Sequence, residues 1–238
     1  MQIVVNHLTR MMKGYICAAG IDTETHAHIR PVLPGMRLRA HLLEPLGGPF
    51  NMAALVDLGE THPCGNPPET EDVEFQPARA ARVRTLPGEE FWKLLRSVSE
   101  SCLGDVFGSE LERVGRTLAI EQGRGVVSLG CIAPKRAPAL AIDRFDRIRA
   151  LVADEASYYD LPVTDLRFYG NDHQSPREEL VENVGERLAR GVPVIVSVGV
   201  TRPFAVREGE PPRHWLQVNN LHLEDDPAWT GSATSIER

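Results

Sequence analysis

The sequence predicts a mainly β protein with a few helices, in which two halves share one order of elements. Three observations support this prediction. Short apolar or alternating runs recur between clusters of Gly, Pro and Asn, as in chains of short strands. Each half contains one segment with apolar residues at helical spacing. Two of the apolar runs also end in the same way, at the pairs Arg30-Pro31 and Arg202-Pro203.

The first half is predicted to have the order β-β-β-α-β-β. Its strand-like runs are QIVVNHL, GYICAAGID, HIRPVL, MAALVDLGE and DVEFQPARAARVRTL. Between the third and fourth runs, Leu38, Leu42 and Leu43 share one helical face in GMRLRAHLLEPLGG, and Pro45 and Gly47 would end that helix.

A connecting helix follows in LPGEEFWKLLRSVSESCLG. Phe91, Leu94, Leu95 and Val98 lie at helical spacing, and acidic residues occupy the first turn. The next segment, residues 105–124, is charged and weakly patterned. We therefore expect the domain boundary to fall within it.

The second half repeats the plan. The predicted strands are GVVSLGCIA, FDRIRALVADEA, PVTDLRFYG, PVIVSVGVT and HWLQVNNLHLE, with a helix between the third and fourth. Ser175, Pro176 and Glu178 form a capping-box pattern at the start of this helix, and Gly191 would close it.

Five strands with a helix between the third and fourth is the order of the OB-fold, a small, partly open Greek-key barrel. We therefore expect two tandem OB-like five-stranded barrels. The expected divisions are an N-terminal barrel over 1–86, a connecting helix and linker over 87–124, a C-terminal barrel over 125–226 and a tail over 227–238.

Composition limits the classes of function. A formal net charge of −7 argues against a protein that coats nucleic acid by bulk attraction, so a nucleic-acid site would have to be local. The four cysteines form no CxxC pair, which favours reduced thiols and a cytoplasmic location. There is no apolar run of the ~20 residues that a bilayer crossing needs, so we expect no membrane association.

Three segments carry a resemblance to a known family. LTRMMKGYICAAGID with HIRPVL, VSVGVTRPF, and HWLQVNNLHLEDDP resemble uncharacterised prokaryotic proteins described as dual OB-containing domain proteins. The resemblance extends from near the N-terminus to about Trp229. It implies two tandem OB barrels and a role in prokaryotic systems of conflict with invading nucleic acid. It supplies no catalytic residues.

OB barrels bind ligands on the face of strands two and three and between the loops that join strands one to two and four to five. In the second half these loops are PKRAPALAIDR and TRPFAVREGEPPR, and strand three contains LRFYG. Cations and rings that could hold phosphates and stack bases cluster there. The predicted nucleic-acid-binding residues are Lys135, Arg136, Arg144, Arg167, Tyr169, Arg202, Phe204 and Arg207, together with Arg30 of the first half.

Two features allow alternative interpretations. Proline lacks an amide hydrogen, so Pro31 and Pro203 would end strand pairing and hold Arg30 and Arg202 extended beside a loop. Each arginine could bind a ligand or clamp an acidic residue of the other barrel or of the C-terminal EDDP. Similarly, the polar residues of HWLQVNNLHLE could form a buried seam between the barrels or read a base edge.

The leading hypothesis is a binding protein for single-stranded nucleic acid or a nucleotide, without enzymatic activity, cofactor or metal. One rival is a protein-interaction module that docks a partner through the acidic first barrel. Its loop THPCGNPPETED is expected to be a solvated surface. The other rival is a metal-dependent hydrolase or nuclease using His214, His222, Asp225 and Asp226, whose spacing matches no familiar metal motif.

Overall fold

The computed structural model describes residues 1–154 and 157–229, and these form a mainly β protein with three α-helices. The helices are α1 (Gly88–Ser97), α2 (Leu103–Phe107) and α3 (Glu178–Ala189). The strands are β1 (Gln2–Arg10), β2 (Tyr15–Asp22), β3 (His28–Val32), β4 (Leu38–Arg39), β5 (Ala54–Asp57), β6 (His62–Pro63), β7 (Asp72–Glu74), β8 (Ala81–Thr85), β9 (Ser99–Glu100), β10 (Glu112–Val114), β11 (Thr117–Glu121), β12 (Leu129–Ile132), β13 (Ala139–Ile142), β14 (Ile148–Asp154), β15 (Ser157–Pro162), β16 (Val194–Val200) and β17 (Arg213–Leu223).

The first half forms one eight-stranded sheet in the order β6-β7-β3-β2-β1-β5-β8, with β4 paired to β2. β1 and β2 are antiparallel, and the register shifts between Val5 and His7. β3 pairs with β2 only at His28 and Ile29 and then pairs in parallel with β7 from Arg30 to Val32. Pairing with β2 therefore ends just before the first Arg-Pro pair, whereas pairing with β7 continues through Pro31.

The second half forms a six-stranded sheet in the order β10-β11-β17-β16-β12-β9 and a separate three-stranded sheet, β13-β14-β15. β16 is buried along its whole length, as its apolar sequence VIVSVGV predicts. A bridge between Val163 and Val218 connects the end of β15 to β17. All three sheets are open rather than closed.

Both long helices form where predicted. α1 buries Phe91, Trp92 and Leu95, and α3 buries Val181, Val184 and Leu188. The capping box expected at the start of α3 is wrong. The residue before the helix is Arg177, which makes no side-chain cap, and the Ser175 hydroxyl instead donates to Asp172 at 2.5 Å.

The helix predicted around Leu38 to Gly47 is also wrong. The segment contains β4 and two short 3-10 turns, Ala40–Leu42 and Glu44–Leu46. Gly48 packs so closely on Leu42 that a Cβ would lie 2.0 Å from the Leu42 carbonyl carbon. Only glycine permits this approach, so the chain curls back and does not continue as a helix.

Three further segments differ from expectation. Residues 105–124 contain β10 and β11, which join the second sheet. The predicted loop PKRAPALAIDR contains β13, and PVTDLRFYG contains the 3-10 turn Leu166–Phe168 where a strand was expected. The predicted strand FDRIRALVADEA forms over Ile148–Asp154, and its last two residues lie outside the described ranges, as do 230–238 of the expected tail.

The halves pack directly on each other. Cys131 and Ile195 of the second half belong to the same apolar cluster as β1, β2 and α1. Asn220 bonds both backbone groups of Leu8, because its Oδ1 accepts from the Leu8 N–H at 2.8 Å and its Nδ2 donates to the Leu8 carbonyl at 3.2 Å. The predicted polar seam between the halves is therefore confirmed. Within the described ranges, no helix is long and apolar enough to cross a bilayer.

A candidate ligand cavity between the two halves

A cavity of about 930 Å³ lies where the halves meet. The first half contributes the end of β1, the start of β2, the end of β3 with the first Arg-Pro pair, and the turn that follows β3. The second half contributes the segment from Val200 to Phe204, together with Gln217 and Asn219 of β17. Arg30 and Arg202, far apart in sequence, therefore line one cavity.

The two arginines share a carboxylate. Arg30 Nε donates to Asp72 Oδ1 at 2.5 Å, and Arg202 Nη2 donates to Asp72 Oδ2 at 2.6 Å. Arg202 Nη1 also lies 3.0 Å from Glu69 Oε1. Of the two interpretations left open by the sequence, clamping is therefore observed: Arg202 holds two acidic residues of the other half, and Arg30 holds one of its own half.

The acidic loop that supplies these partners is not the solvated surface expected for it. Asp72 and Glu71 are buried, and Glu71 accepts from the backbone N–H groups of Ser128 and Leu129 at 2.6 and 3.0 Å. Burial raises the pKa of Glu71 above its ordinary value, although these N–H donors oppose the rise. The loop fastens the first half to the start of β12.

Arg30 keeps unused hydrogen-bonding capacity. Its residue is 5% exposed, yet its Nη2 is buried without a hydrogen-bond partner. A buried guanidinium nitrogen with no acceptor costs free energy, and an anionic group entering the cavity would satisfy it.

Two more arginines line the cavity. The Arg10 guanidinium lies 4.0 Å from the centre of the Tyr169 ring, its Nη1 donates to the His173 carbonyl at 3.1 Å, and its Nε is buried without a partner. Arg37 lies 5.7 Å from the ring centre of Tyr15. Among the described residues, neither arginine is within ion-pairing distance of a carboxylate, so both charges are available to a ligand.

The rest of the lining is largely apolar and partly exposed. Met11, Met12, Met36 and Phe204 all contribute to it. Met12 is 75% exposed and Phe204 is 48% exposed, and the Phe204 ring is tilted against Trp215 with centroids 6.2 Å apart. Thioethers and an aromatic face are surfaces on which a flat ring can pack.

The structure divides the predicted site residues into separate groups. Arg30, Arg202 and Phe204 lie at the cavity. Arg144 lies on the turn between β13 and β14, with its guanidinium 4.7 Å from the centre of the Phe145 ring. Lys135 and Arg136 precede β13, and Arg136 Nη1 donates to the Tyr158 hydroxyl at 2.6 Å.

Three predicted residues lie outside both of these groups. Arg207 is exposed in the loop after β16, where its Nη1 is 3.8 Å from Glu210. Arg167 is clamped on Asp165 by bonds of 2.9 and 2.6 Å. Tyr169 is only 5% exposed and donates its hydroxyl to the Val163 carbonyl at 2.7 Å, so the exposed ring expected beside Arg167 is absent.

The histidines and acids considered for a hydrolase do not converge. His214 and His222 are eight residues apart on β17, which corresponds to about 26 Å along a strand. His214 Nδ1 lies 2.9 Å from the Thr201 carbonyl oxygen, and Asp225 pairs with Arg187.

Sequence reasoning missed Arg10, Arg37 and the methionines of the cavity. They lie in LTRMMKG and PGMRLR, two turns in which an arginine is adjacent to an apolar thioether. An arginine beside a methionine in both turns was the sequence signal for this part of the cavity. The two turns meet, however, only because β3 and β4 both pair with β2.

The structure is thus a mainly β chain in two halves with a cavity between them. The chain belongs to the dual OB-containing domain family, whose model matches residues 1–221. The family resemblance of the sequence is thus confirmed. Among curated proteins, none matches the chain significantly.

Solved structures of low similarity include the HINa domain of Ifi202 in complex with 20-bp double-stranded DNA, at 10% identity and a TM-score of 0.37, with 94% of this chain and 93% of that chain covered. The alignment with a tetrameric p202 HIN2 has 7% identity and a TM-score of 0.34, and it covers 94% of this chain and 90% of that chain. The alignment with a murine DNA-binding protein bound to double-stranded DNA has 9% identity and a TM-score of 0.32, and it covers 94% of this chain and 96% of that chain. TM-scores at this level support no inference about the function of this chain.

Proposed function

We propose that this protein binds single-stranded nucleic acid or a nucleotide in the cavity between its halves, without catalysing a reaction. The observation that carries the proposal is that the cavity is lined by Arg30, whose buried Nη2 has no hydrogen-bond partner among the described residues, and by Arg10 and Arg37, which pair with no described carboxylate. Phosphate oxygens are acceptors that match a guanidinium fork.

The apolar part of the lining favours a ligand with a base over inorganic phosphate alone. Phe204 and the methionines provide packing surfaces beside the arginines, and stacking combined with phosphate contacts is how single strands are held without sequence preference. A volume of about 930 Å³ lies within the range of small-molecule sites and suits one or a few nucleotides better than a duplex.

This proposal shifts the expected site from the mouth of the second half to the boundary between the halves. Lys135, Arg136, Arg144 and Arg207 remain predicted contacts on other surfaces. The finer fold prediction of two five-stranded barrels and the implied role in prokaryotic conflict systems also remain proposals. The acidic residues Glu69, Glu71 and Asp72, which a protein-docking function would use, already have partners within the chain.

The test is fluorescence anisotropy with labelled single-stranded DNA and RNA oligonucleotides and with a labelled nucleotide, at roughly 50 and 200 mM salt. Arg37→Gln and Arg10→Gln should each weaken binding about tenfold, since each removes a charged contact. Each should also reduce the slope of log affinity against log salt by about 0.7.

Two controls sharpen the experiment. Arg96→Gln and Arg190→Gln remove exposed arginines from α1 and from the end of α3, and should leave affinity unchanged. The double variant Arg136→Ala with Arg144→Ala tests the separate three-stranded sheet. Absence of binding at low salt would reject the proposed function. Loss of binding only in the double variant of Arg136 and Arg144 would reject the cavity as the binding site.

A further inference from the structure

A second group of chemically active side chains lies at the boundary between the halves, outside the cavity. His7 is on β1 and His28 on β3 of the first half, whereas Cys131 is on β12 of the second half. Their potential ligand atoms all lie within 4.8 Å of one another. In the described part of the chain, this is the one set of three or more His, Cys, Asp or Glu side chains close enough to hold a metal ion.

The distances suit a tetrahedral ion. Bonds of about 2.3 Å to sulfur and about 2.05 Å to nitrogen place the two ligand atoms about 3.6 Å apart. Cys131 Sγ and His28 Nε2 are 3.6 Å apart. The most distant pair would have to close by at most about 1.5 Å, which side-chain rotation can supply.

His7 provides an independent indication. Its residue is 1% exposed, and its Nε2 is buried without a hydrogen-bond partner. Its other ring nitrogen, Nδ1, lies 3.0 Å from Asn219 Nδ2, a contact that fixes the ring. With an ion on Nε2, Nδ1 carries the proton, and reversal of the Asn219 amide, whose two ends are assigned from hydrogen bonding, gives it Oδ1 as its acceptor. This fixed, buried ring has one nitrogen without a partner among the described residues and lies beside a histidine and a thiol, an arrangement that packing alone does not explain.

The Asn6 side chain lies beside two of these side chains. Its Nδ2 is 3.3 Å from both His28 Nε2 and Cys131 Sγ, and its Oδ1 is buried without a partner among the described residues. The two ends of an amide are assigned from hydrogen bonding, and reversing this one directs Oδ1 toward His28 Nε2 and Cys131 Sγ. Asn6 can therefore close a fourth position.

The protonation states are compatible with metal binding. Burial, followed by repulsion from His28, His222 and Arg30, holds the pKa of His7 well below its ordinary value, and burial lowers the pKa of His28 to about 4. Both imidazoles are therefore neutral at pH 7. Burial raises the pKa of the Cys131 thiol to about 11, so an ion must displace the thiol proton when it binds.

We propose that His7, His28 and Cys131 hold one transition-metal ion, with Asn6 or water in the fourth position, and that this ion cross-links the two halves. Two imidazoles and a thiolate select zinc among the abundant divalent cations, because magnesium and calcium require oxygen ligands. The ion stabilises the folded chain because ligands from both halves come together only in that state. This inference does not depend on the proposed nucleic-acid function.

The first experiment measures metal in the purified, untagged full chain by plasma mass spectrometry. About one zinc per chain is expected. The protein is then stripped with a chelator and titrated with Co²⁺. A thiolate-to-cobalt charge-transfer band and strong visible bands of tetrahedral cobalt should appear at one equivalent, with release of one proton per ion in unbuffered solution.

Variants assign the ligands. Cys131→Ser should abolish the charge-transfer band, and His28→Gln, at a half-buried position, should lower cobalt affinity at least tenfold. Cys17→Ser changes a thiol of the neighbouring cavity and should behave as wild type. Chelator should lower the melting temperature of wild type and of Cys17→Ser, but not of Cys131→Ser.

Two results would overturn the proposal. One is a wild-type chain that contains no zinc and gives no thiolate band with cobalt. The other is a band that persists in Cys131→Ser or disappears in Cys17→Ser. If Cys131→Ser does not fold, His28→Gln decides the question, because unchanged cobalt affinity in that variant would reject His28 as a ligand and with it the proposed site.

Discussion

Asp72 is the residue on which both Arg-Pro pairs converge. Its carboxylate is buried and accepts from Arg30 and Arg202 at 2.5 and 2.6 Å. Asp72→Asn keeps the size of the side chain but removes the charge, which leaves the buried Arg30 without a counter-ion. Breaking one partner of a buried pair costs about 3–5 kcal/mol, and we expect a loss of that order in the free energy of unfolding, measured in urea.

The matched control for Asp72 is an exposed carboxylate that also pairs with a cation. Glu89 lies 2.6 Å from Lys93 on the surface of α1. Glu89→Gln should leave the urea midpoint almost unchanged, because solvent and salt screen exposed ion pairs. Equal effects of the two substitutions would show that the Arg30–Asp72–Arg202 cluster does not stabilise the fold.

His222 makes stability depend on pH. It is fully buried between Ser197 and Pro227, and burial, followed by the charge of Arg167, lowers its pKa to about 3. The unfolded chain, in which the histidine titrates near its ordinary value of 6.5, therefore binds a proton that the folded chain does not. The stabilisation of the folded chain that depends on neutral His222 is therefore complete above pH 6.5 and is lost as pH falls toward 3.

The corresponding measurement compares wild type with His222→Gln by urea unfolding at several values of pH. Below pH 6.5 the wild type should lose about 1.4 kcal/mol per pH unit more than the variant, since a single buried neutral histidine has that slope. His28 titrates in both proteins and cancels in the difference, whereas the substitution also removes the repulsion by which His222 helps to lower the pKa of His7. If the free energy of unfolding of the two proteins changed in parallel with pH, His222 would be protonated in the folded chain.

At the scale of elements, β17 joins the halves through its side chains. Asn220 satisfies both the N–H and the carbonyl of Leu8, just after the register shift of β1. Asn220→Ala leaves both backbone groups buried and unbonded, which should cost about 2–4 kcal/mol. The Leu8 amide should also lose protection from hydrogen exchange.

Asn171→Ala is the control for this element, since Asn171 is exposed in a turn. It should change neither stability nor exchange at Leu8. If the Leu8 amide stays protected in Asn220→Ala, then β1 is held at this point by something other than the polar seam.

The elements also show what local pattern can predict. α1, α3 and β16 are confirmed because their apolar residues follow one period and pack against one core. The Leu166–Phe168 turn was missed because Asp165 accepts from the Arg167 backbone N–H at 3.1 Å, a side-chain contact that alternation does not reveal. In these segments tertiary contacts and turn chemistry override the pattern.

The candidate sites likewise depend on tertiary contacts that the local sequence does not reveal. Arg30, Arg202 and Phe204 could be selected from the sequence because charge and aromatic character are local properties. The convergence of the two arginines on Asp72 could not be predicted, because Arg202 Nη2 and Asp72 Oδ2 meet across 130 positions of chain. His28 and Cys131 are likewise 103 positions apart, so the metal-ligand cluster exists only in the folded molecule.

At the scale of the whole molecule, the two halves share too many contacts to unfold separately. Glu71 bonds the start of β12, Arg202 reaches Asp72, and Trp92 Nε1 donates to Glu224 Oε1 at 3.0 Å. Opening either half alone would expose part of the other half's core and leave these groups unpaired. We therefore expect one cooperative unfolding unit.

Native-state hydrogen exchange followed by mass spectrometry tests this expectation. The slowest amides of the β1–β2 ladder and of the β16–β17 ladder should exchange with the same opening free energy, equal to the global free energy of unfolding. Asp72→Asn should lower both values by the same amount, although the substitution lies in only one half, because a shared transition distributes any local loss over the whole chain. Two different opening free energies, or a decrease confined to the first half, would show that the halves are separate units whose contacts contribute little to stability.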